Sequence, residues 1–349
     1  MIALERLEAL LAGFPGLTIG LVGDLFLDRY LDIDPDLREL SVETGLEAYQ
    51  ISRVRNSPGA LGTILNNLAA LGVGRLVPVT VIGDDGQAYD LLKALARLPV
   101  GTEHILQDAK RNTPTYTKPL RRDADGIVRE LNRLDLRNRA SFDSDMQARL
   151  LDRITRVWNS TAGLIVLDQV NEEGWGVVTP AVRTHLAELA RRDPDKLMFV
   201  DSRAHIQKFQ AGVLKPNLAE CRRAVGMAAE GQSPDPAERD AEDQRAVGEL
   251  ARRTELTLFC TRGEQGMLIA EPGRPVVKVS GYPVTGPIDV VGAGDSATSG
   301  IVASLLVGAT LPEAADLGNL VASITVQQLG TTGTASPEQL RARWHETHA

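Results

Sequence analysis

The chain has 349 residues, of which 43% are hydrophobic, 4% aromatic and 24% charged, and its net charge is −8. Such an acidic balance excludes a general binder of nucleic acid or of anionic membranes, which need a basic surface. Two cysteines, Cys221 and Cys260, are too few for a disulfide framework and lack metal-ligand spacing. With so few aromatics, the core must come mainly from Leu, Val, Ile and Ala, which suits a parallel sheet covered by helices.

Leu4, Leu7, Leu10 and Leu11 share one helical face, and Glu5 and Glu8 interrupt any signal-peptide core, so an N-terminal surface helix is expected. No apolar run is long enough to span a bilayer, and reduced thiols in a cytoplasmic protein are expected. Leu17–Asp24 reads as a buried first strand. The polar stretch after it reads as short exposed strands, and Pro58–Gly72 as a helix with leucines at helical spacing. Arg75–Gly83 predicts a strand and 87–98 a helix. Thr113–Arg122 and Gly126–Asp135 flank a turn and predict a hairpin. Strands at Gly163–Gln169, Leu197–Arg203, Val213–Asn217 and Leu256–Gly263 alternate with helices at Asp143–Ser160, Thr179–Arg192, Ala219–Gly226 and Arg245–Arg253. Residues 230–243 read as a loop prone to local disorder. Two more strands follow, then helices at Asp295–Val307 and Leu311–Gln328.

This βα alternation predicts an α/β fold: a doubly wound, mostly parallel sheet with helices on both faces, in one domain spanning 1–349. Segments 29–57 and 113–135 break the alternation and are expected to form a small β-sheet lid. Ligands bind such sheets at the carboxyl ends of the strands. Asp24, Asp168, Asp201, Asn217 and Gly263 all fall at predicted strand ends.

The segment DVVGAGD, Asp289–Asp295, carries the chemistry. Gly292, Ala293 and Gly294 open a helix whose first backbone N–H groups have no intrahelical acceptor. Small side chains let an oxyanion approach, and the helix dipole favours negative charge. Asp295, at the mouth of this anion hole, is placed to take a proton from an attacking hydroxyl. On the residues alone, a tight loop with an acid in the first helical turn is the competing description.

DVVGAGDS resembles the second signature, D-T-x-G-A-G-D, of the ribokinase-like (PfkB) sugar kinases, with Val290 at the usual Thr. The resemblance implies Asp295 as catalytic base and Gly292, Ala293 and Gly294 as the anion hole. Further landmarks follow the family order over nearly the whole chain. GDLFLD (23–28) is similar to the element whose last Asp binds sugar hydroxyls, which implies Asp28 and, less directly, Asp24 as substrate contacts. PGALGT (58–63) resembles the first signature, with Gly59 and Ala60 at its Gly-Gly pair and Thr63 where Asn is common. KPNLAE (215–220) resembles the N-x-x-E element, implying that Asn217 and Glu220 organise Mg²⁺ through water; a helix capping box describes the same residues. TRGEQG (261–266) resembles the nucleotide-binding turn, implying Thr261, Gly263 and Gly266, although glycines in a strand-to-strand turn need no ligand. Asp289 and Asn319 complete the implied nucleotide site, with Asn319 also readable as a helix-surface residue.

GDLFLDRY, TYTKPLRR and NRLD are closest to the D-glycero-β-D-manno-heptose 7-phosphate kinase branch. Thr117, Lys118 and Asp135 then belong to the lid or substrate region. Asp168 is a substrate-site residue, and Lys118, Arg121, Arg129, Arg203 and Lys208 are candidate partners for a substrate phosphate. Glu173 stands where that branch has a base, and a chain ending at Ala349 is expected to lack the nucleotidyltransferase domain of bifunctional members. The resemblance implies ATP and Mg²⁺, admits a monovalent cation, and points to a sugar or sugar phosphate as substrate. Exposed lid edges suggest a homodimer. Ala60, Thr63 and Glu173 keep two alternatives open: a catalytically weak sugar-binding or regulatory protein, or a kinase of a nucleoside or fructose phosphate.

Overall fold

The structure, a computed structural model, describes residues 2–123, 126–228, 231, 235–330 and 332–348. Helix α1 (Leu4–Gly13) leads into strand β1 (Thr18–Gly23), then β2 (Leu25–Leu40) and β3 (Glu47–Ala60), helix α2 (Leu61–Ala70), β4 (Arg75–Gly83), α3 (Gly86–Leu95) and β5 (Ile105–Asp108). Strands β6 (Thr115–Arg122), β7 (Val128–Glu130) and β8 (Leu134–Leu136) precede α4 (Ser144–Ser160), β9 (Gly163–Asp168), α5 (Pro180–Arg192), β10 (Leu197–Ser202) and β11 (Val213–Leu214). The chain continues through α6 (Leu218–Val225), α7 (Pro236–Thr254), β12 (Leu258–Thr261), β13 (Met267–Ala270) and β14 (Val277–Val279). It closes with α8 (Ala293–Leu306), α9 (Leu311–Thr325) and α10 (Pro337–His348).

Nine strands form one sheet in the order β14-β13-β12-β11-β10-β9-β1-β4-β5. It is parallel from β5 to β12, and β13 and β14 are antiparallel at the edge. Successive residues of β9 alternate between two cores: Ile165 and Leu167 face the side covered by α1, α2, α8 and α9, while Leu164 and Val166 face α4, α5 and α7. The fold is therefore the doubly wound α/β arrangement expected. From β1 the sheet grows one way through β4 and β5, and the other way through β9 and β10. The strand order thus reverses between β1 and β9, and a crevice opens at that point beside their carboxyl ends.

Five strands form the second sheet, β3-β2-β6-β7 with β8 also paired to β6. In place of the short strands expected after Asp28 there are two long antiparallel ones, with register shifts near Ile33. Their outer halves are exposed, so the backbone ladder holds them without an apolar repeat. Pro58–Ala60 belongs to β3, and α2 starts only at Leu61. The hairpin between β6 and β7 pairs Arg122 with Val128, and residues 124 and 125 of its expected turn lie outside the described residues.

The stretch 230–243, expected as a loop, is helical from Pro236. Asp235 caps the helix, and buried Asp243 is paired by Arg222, which replaces the apolar stripe the sequence lacks. Residues 230 and 232–234 lie outside the described residues. The expected second hairpin strand, Gly126–Asp135, is divided into β7 and β8, and helix α10 and strand β5 had no expectation attached to them. Helix α8 is small-residue-rich from Ala293 to Gly300, and Ser296–Ser304 are buried. That lets it pass close to α9, where a Cβ on Gly300 would come 3.2 Å from the Cα of Gly318.

Candidate active site

Strand β1 delivers Asp24 to the switch point. Its Oδ1 accepts the Val177 N–H at 2.7 Å and its Oδ2 the Gln169 N–H at 3.2 Å. The residue is 4% exposed, so its carboxylate ties the segment after β9 to the first strand. Next along β2, Asp28 projects beside β3 and β6. Its Oδ2 lies 3.4 Å from Nζ of Lys118. That ammonium also donates to the Tyr30 hydroxyl at 3.3 Å and sits over the Tyr30 ring. Burial raises the Asp28 carboxyl, and Lys118 opposes the rise. Gly59 borders this carboxylate. Ala60, the next residue, holds φ 52° and ψ −114°, a conformation glycine adopts freely and alanine rarely.

Gly292, with φ 82°, is the N-cap of α8, and no side chain caps the helix. Its α-carbon faces Thr63 and Thr332: a Cβ there would stand 3.4 Å and 3.1 Å from their methyl groups. Thr63, at the position usually occupied by Asn, thus packs on the anion-hole loop. A Cβ on Gly294 would stand 3.6 Å from Nζ of Lys215. Asp295, in the first turn, keeps part of its surface open to the cleft. Burial and the neighbouring Asp201 nevertheless push its carboxyl up to about 7, while Lys215 and Arg203 pull it back and Asp28 adds a further push. The groups expected to handle the acceptor and the base therefore share one electrostatic field.

The sequence reading placed Asp201 at a strand end and Lys215 in the KPNLAE segment, but gave Lys215 no role and did not bring the two together. Parallel register pairs Val200 with Leu214, so the residues after them, Asp201 and Lys215, leave adjacent strands at the same height. Their side chains pair at 2.8 Å and are both buried. For Lys215 burial acts to lower the ammonium, but Asp201, Glu220 and Asp295 together raise it. Adjacent strand ends were the available signal; which strands are neighbours was not in the sequence.

Asp168, at the end of β9, accepts the Ser202 hydroxyl at 2.7 Å. Burial and Asp24 push its carboxyl up to about 7. Arg203 follows β10, donates its backbone N–H to Asp168 O, and points an exposed guanidinium that forms no ion pair among the described residues. The other candidate cations are engaged. Arg121 and Arg129 pair with Asp123, and Lys208 pairs with Glu173 at 3.0 Å. Glu173 is also paired by Arg183, so the acid at the expected basic position sits between two cations.

Asn217 and Glu220 form a reciprocal capping box at the start of α6, each side chain accepting the other's backbone N–H at 2.8 Å. Burial and Asp201 raise the Glu220 carboxyl. Asn217, Thr261 and Gly263 line one open groove of about 780 Å³ together with Leu218, Arg262 and Lys278. The remaining implied nucleotide residues lie off it. Gly266 meets backbone: a Cβ there would be 2.2 Å from Val279 O. Asn319 donates to Val279 O and Ser280 O. Asp289 accepts from Val291 N–H and Gly330 N–H, bracing the loop ahead of α8.

The doubly wound sheet, with a second sheet beside it and a carboxylate at a small-residue helix N-terminus, is that of a carbohydrate kinase. The chain belongs to the pfkB family of carbohydrate kinases, whose model matches residues 29–339. Among curated relatives it is similar to Bifunctional protein HldE of Pelobacter propionicus, at 29% identity over 92% of this chain and 62% of that protein. It is also similar to the protein of the same name from Stutzerimonas stutzeri, at 32% identity over 92% and 62%. The chain thus spans about three fifths of the length of these relatives. Among solved structures, it resembles Arabidopsis thaliana ribokinase complexed with ribose and ATP, with a TM-score of 0.67 and 16% identity over 94% of this chain and 98% of that one. Escherichia coli phosphofructokinase-2 in complex with fructose-6-phosphate matches at 0.67 and 17%, over 95% and 100%.

Proposed function

We propose that this kinase transfers the γ-phosphoryl group of ATP to a hydroxyl of a sugar or sugar phosphate, with a heptose phosphate as the first substrate to test. The observation that carries the reading is the setting of Asp295. A carboxyl shifted to about 7 stands at the uncapped N-terminus of α8, in one field with Asp28. A base poised near the working pH takes the hydroxyl proton as the oxygen attacks phosphorus. The free N–H groups of the 292–294 turn meet the charge on the transferring group. Asp28, held by Lys118 and given room by Gly59, binds the sugar hydroxyls. Asp24 supports the site by bracing the segment after β9. Asp168, beside it, offers the sugar a carboxyl that is half-protonated near pH 7. The groove lined by Asn217, Thr261 and Gly263 receives the nucleotide, with Asp289 and Asn319 shaping its far wall through the loops they hold.

Among the described residues no three His, Cys, Asp or Glu side chains converge on a metal position. The fit is to a hydrated Mg²⁺: burial and the neighbouring Asp201 raise the carboxyl of half-buried Glu220, a cost that a dication nearby relieves. When bound, the ion neutralises charge on the phosphates. The exposed Arg203, which forms no ion pair among the described residues, is suited to a phosphate on the substrate. The second sheet serves as a lid that excludes water as a competing acceptor. Its edge strand β3 carries exposed Tyr49, Ile51 and Val54, which supports a homodimer in which a second copy covers that edge. Two buried free thiols and use of ATP suit a cytoplasmic enzyme.

A panel of sugars, heptose phosphates, fructose phosphates and nucleosides, read by ADP release, tests the reading. Saturable release with a sugar or sugar phosphate is expected. Saturable binding with no release above the water background would leave a sugar-binding protein on a kinase scaffold.

A further inference from the structure

Lys215 has no part in the mechanism above, yet it is a buried cation held beside the anion-hole turn. Its side chain is 4% exposed and pairs with Asp201 at 2.8 Å. Among the described residues outside the helix's own backbone, its ammonium alone borders the space beside Gly294, in the middle of the anion-hole turn. Glu220 and Asp295 act on it from the nucleotide and acceptor sides. A purely structural buried pair gains little over apolar packing, because desolvation offsets its attraction. An ammonium paired with Asp201, beside a row of free N–H groups, sits where negative charge arrives during phosphoryl transfer.

We propose that Lys215 is a catalytic residue whose ammonium bonds an oxygen of the phosphoryl group in flight, and that Asp201 is the residue that positions it. The inference rests on the phosphoryl-transfer reading. In the step, the acceptor hydroxyl oxygen forms a bond to phosphorus and its proton passes to Asp295. The bond from phosphorus to the ADP oxygen breaks, and ADP leaves with that electron pair. Lys215 stays protonated throughout and gives up no atom. Its charge matters most when the phosphoryl oxygens lie between donor and acceptor, so it acts on kcat more than on sugar binding.

The test uses three variants of the full chain: Lys215→Met, Asp201→Asn and the double variant. Lys215→Met is expected to lower kcat by about 10²–10³, the range for one preorganised electrostatic contact, with the sugar KM within about twofold. Its acid limb should move to higher pH, because a cation that holds Asp295 down has gone. That variant leaves Asp201 buried and unpaired, so it can fail to fold. The double variant removes both charges, should melt near the parent, and decides the matter. A kcat more than tenfold below that of Asp201→Asn, which lacks the same carboxylate, supports direct contact of Lys215 with the phosphoryl group. A kcat within tenfold of that of Asp201→Asn overturns the proposal and leaves Lys215 as a neutraliser of Asp201. Asp295→Asn, assayed alongside, separates the two readings: if that variant turns over normally the base assignment fails, whatever Lys215 does. If it is inactive while the double variant is active, only the role of Lys215 falls.

Discussion

The Cβ that Gly59 lacks would stand 2.8 Å from Cγ of Asp28 and 2.9 Å and 3.0 Å from its two oxygens. Real Cβ atoms do not approach that closely, and the Asp28 carboxylate cannot retreat without leaving Lys118. Gly59→Ala should therefore swing Asp28 away from the sugar. The expected result is a sugar KM raised about tenfold or more, the loss of roughly one good charged hydrogen bond. The ATP KM should hold. Initial-rate kinetics with each substrate varied in turn check this; an unchanged sugar KM would remove Asp28 from the sugar site.

Ala60, one residue on, predicts the opposite kind of outcome. An alanine at φ 52°, ψ −114° stores about 1–3 kcal/mol of backbone strain. Glycine relieves it and returns about 0.4–1 kcal/mol through its freer unfolded chain. Ala60→Gly should thus stabilise the protein by about 1 kcal/mol. A higher urea midpoint at unchanged slope is the expected reading.

How much of this was legible beforehand depended on distance along the chain. Strands such as Gly163–Asp168 and the opening of α8 announce themselves locally, through unbroken apolar runs and a Gly-Ala-Gly turn. The meeting of Lys215 with Asp201 does not, since it requires knowing that β10 and β11 are neighbours. Helix α7 hid its first two turns because buried Asp243, paired with Arg222, stands where an apolar residue would have marked the helix. Long β2 and β3 were hidden because their outer halves bury neither face. Gly266 and Asn319 match a nucleotide motif, yet tight backbone contacts already account for both residue types.

Asp24 gives a prediction about stability in the absence of any substrate. Its two oxygens satisfy the N–H groups of Val177 and Gln169. Asp24→Ala leaves both amides unpaired in a buried place, at about 1–3 kcal/mol each. The sugar-free protein should lose about 2 kcal/mol or more in denaturant titration. An unaltered stability would mean that the segment after β9 does not depend on this carboxylate.

Asp295 links catalysis and stability through opposite pH slopes. Its carboxyl moves from 3.8 in the ordinary chain to about 7 in the fold. Between those values the folded protein holds a proton that the unfolded chain has released. This group's contribution to stability therefore falls as pH rises from about 4 to 7, by up to about 1.4 kcal/mol per pH unit, and stays low above 7. Activity runs the other way, because only the carboxylate can take the hydroxyl proton, so kcat/KM should rise along an acid limb near pH 7. Asp295→Asn removes both effects at once. It should cut turnover by about 10²–10⁴ and melt higher than the parent at pH 8, with the advantage shrinking as the pH approaches 4. Melting curves at pH 4.5, 6 and 8 beside the rate profile check the pair. A variant that loses turnover but gains nothing in stability at pH 8 would show that the charge on Asp295 is already well accommodated, and that its proton affinity is ordinary.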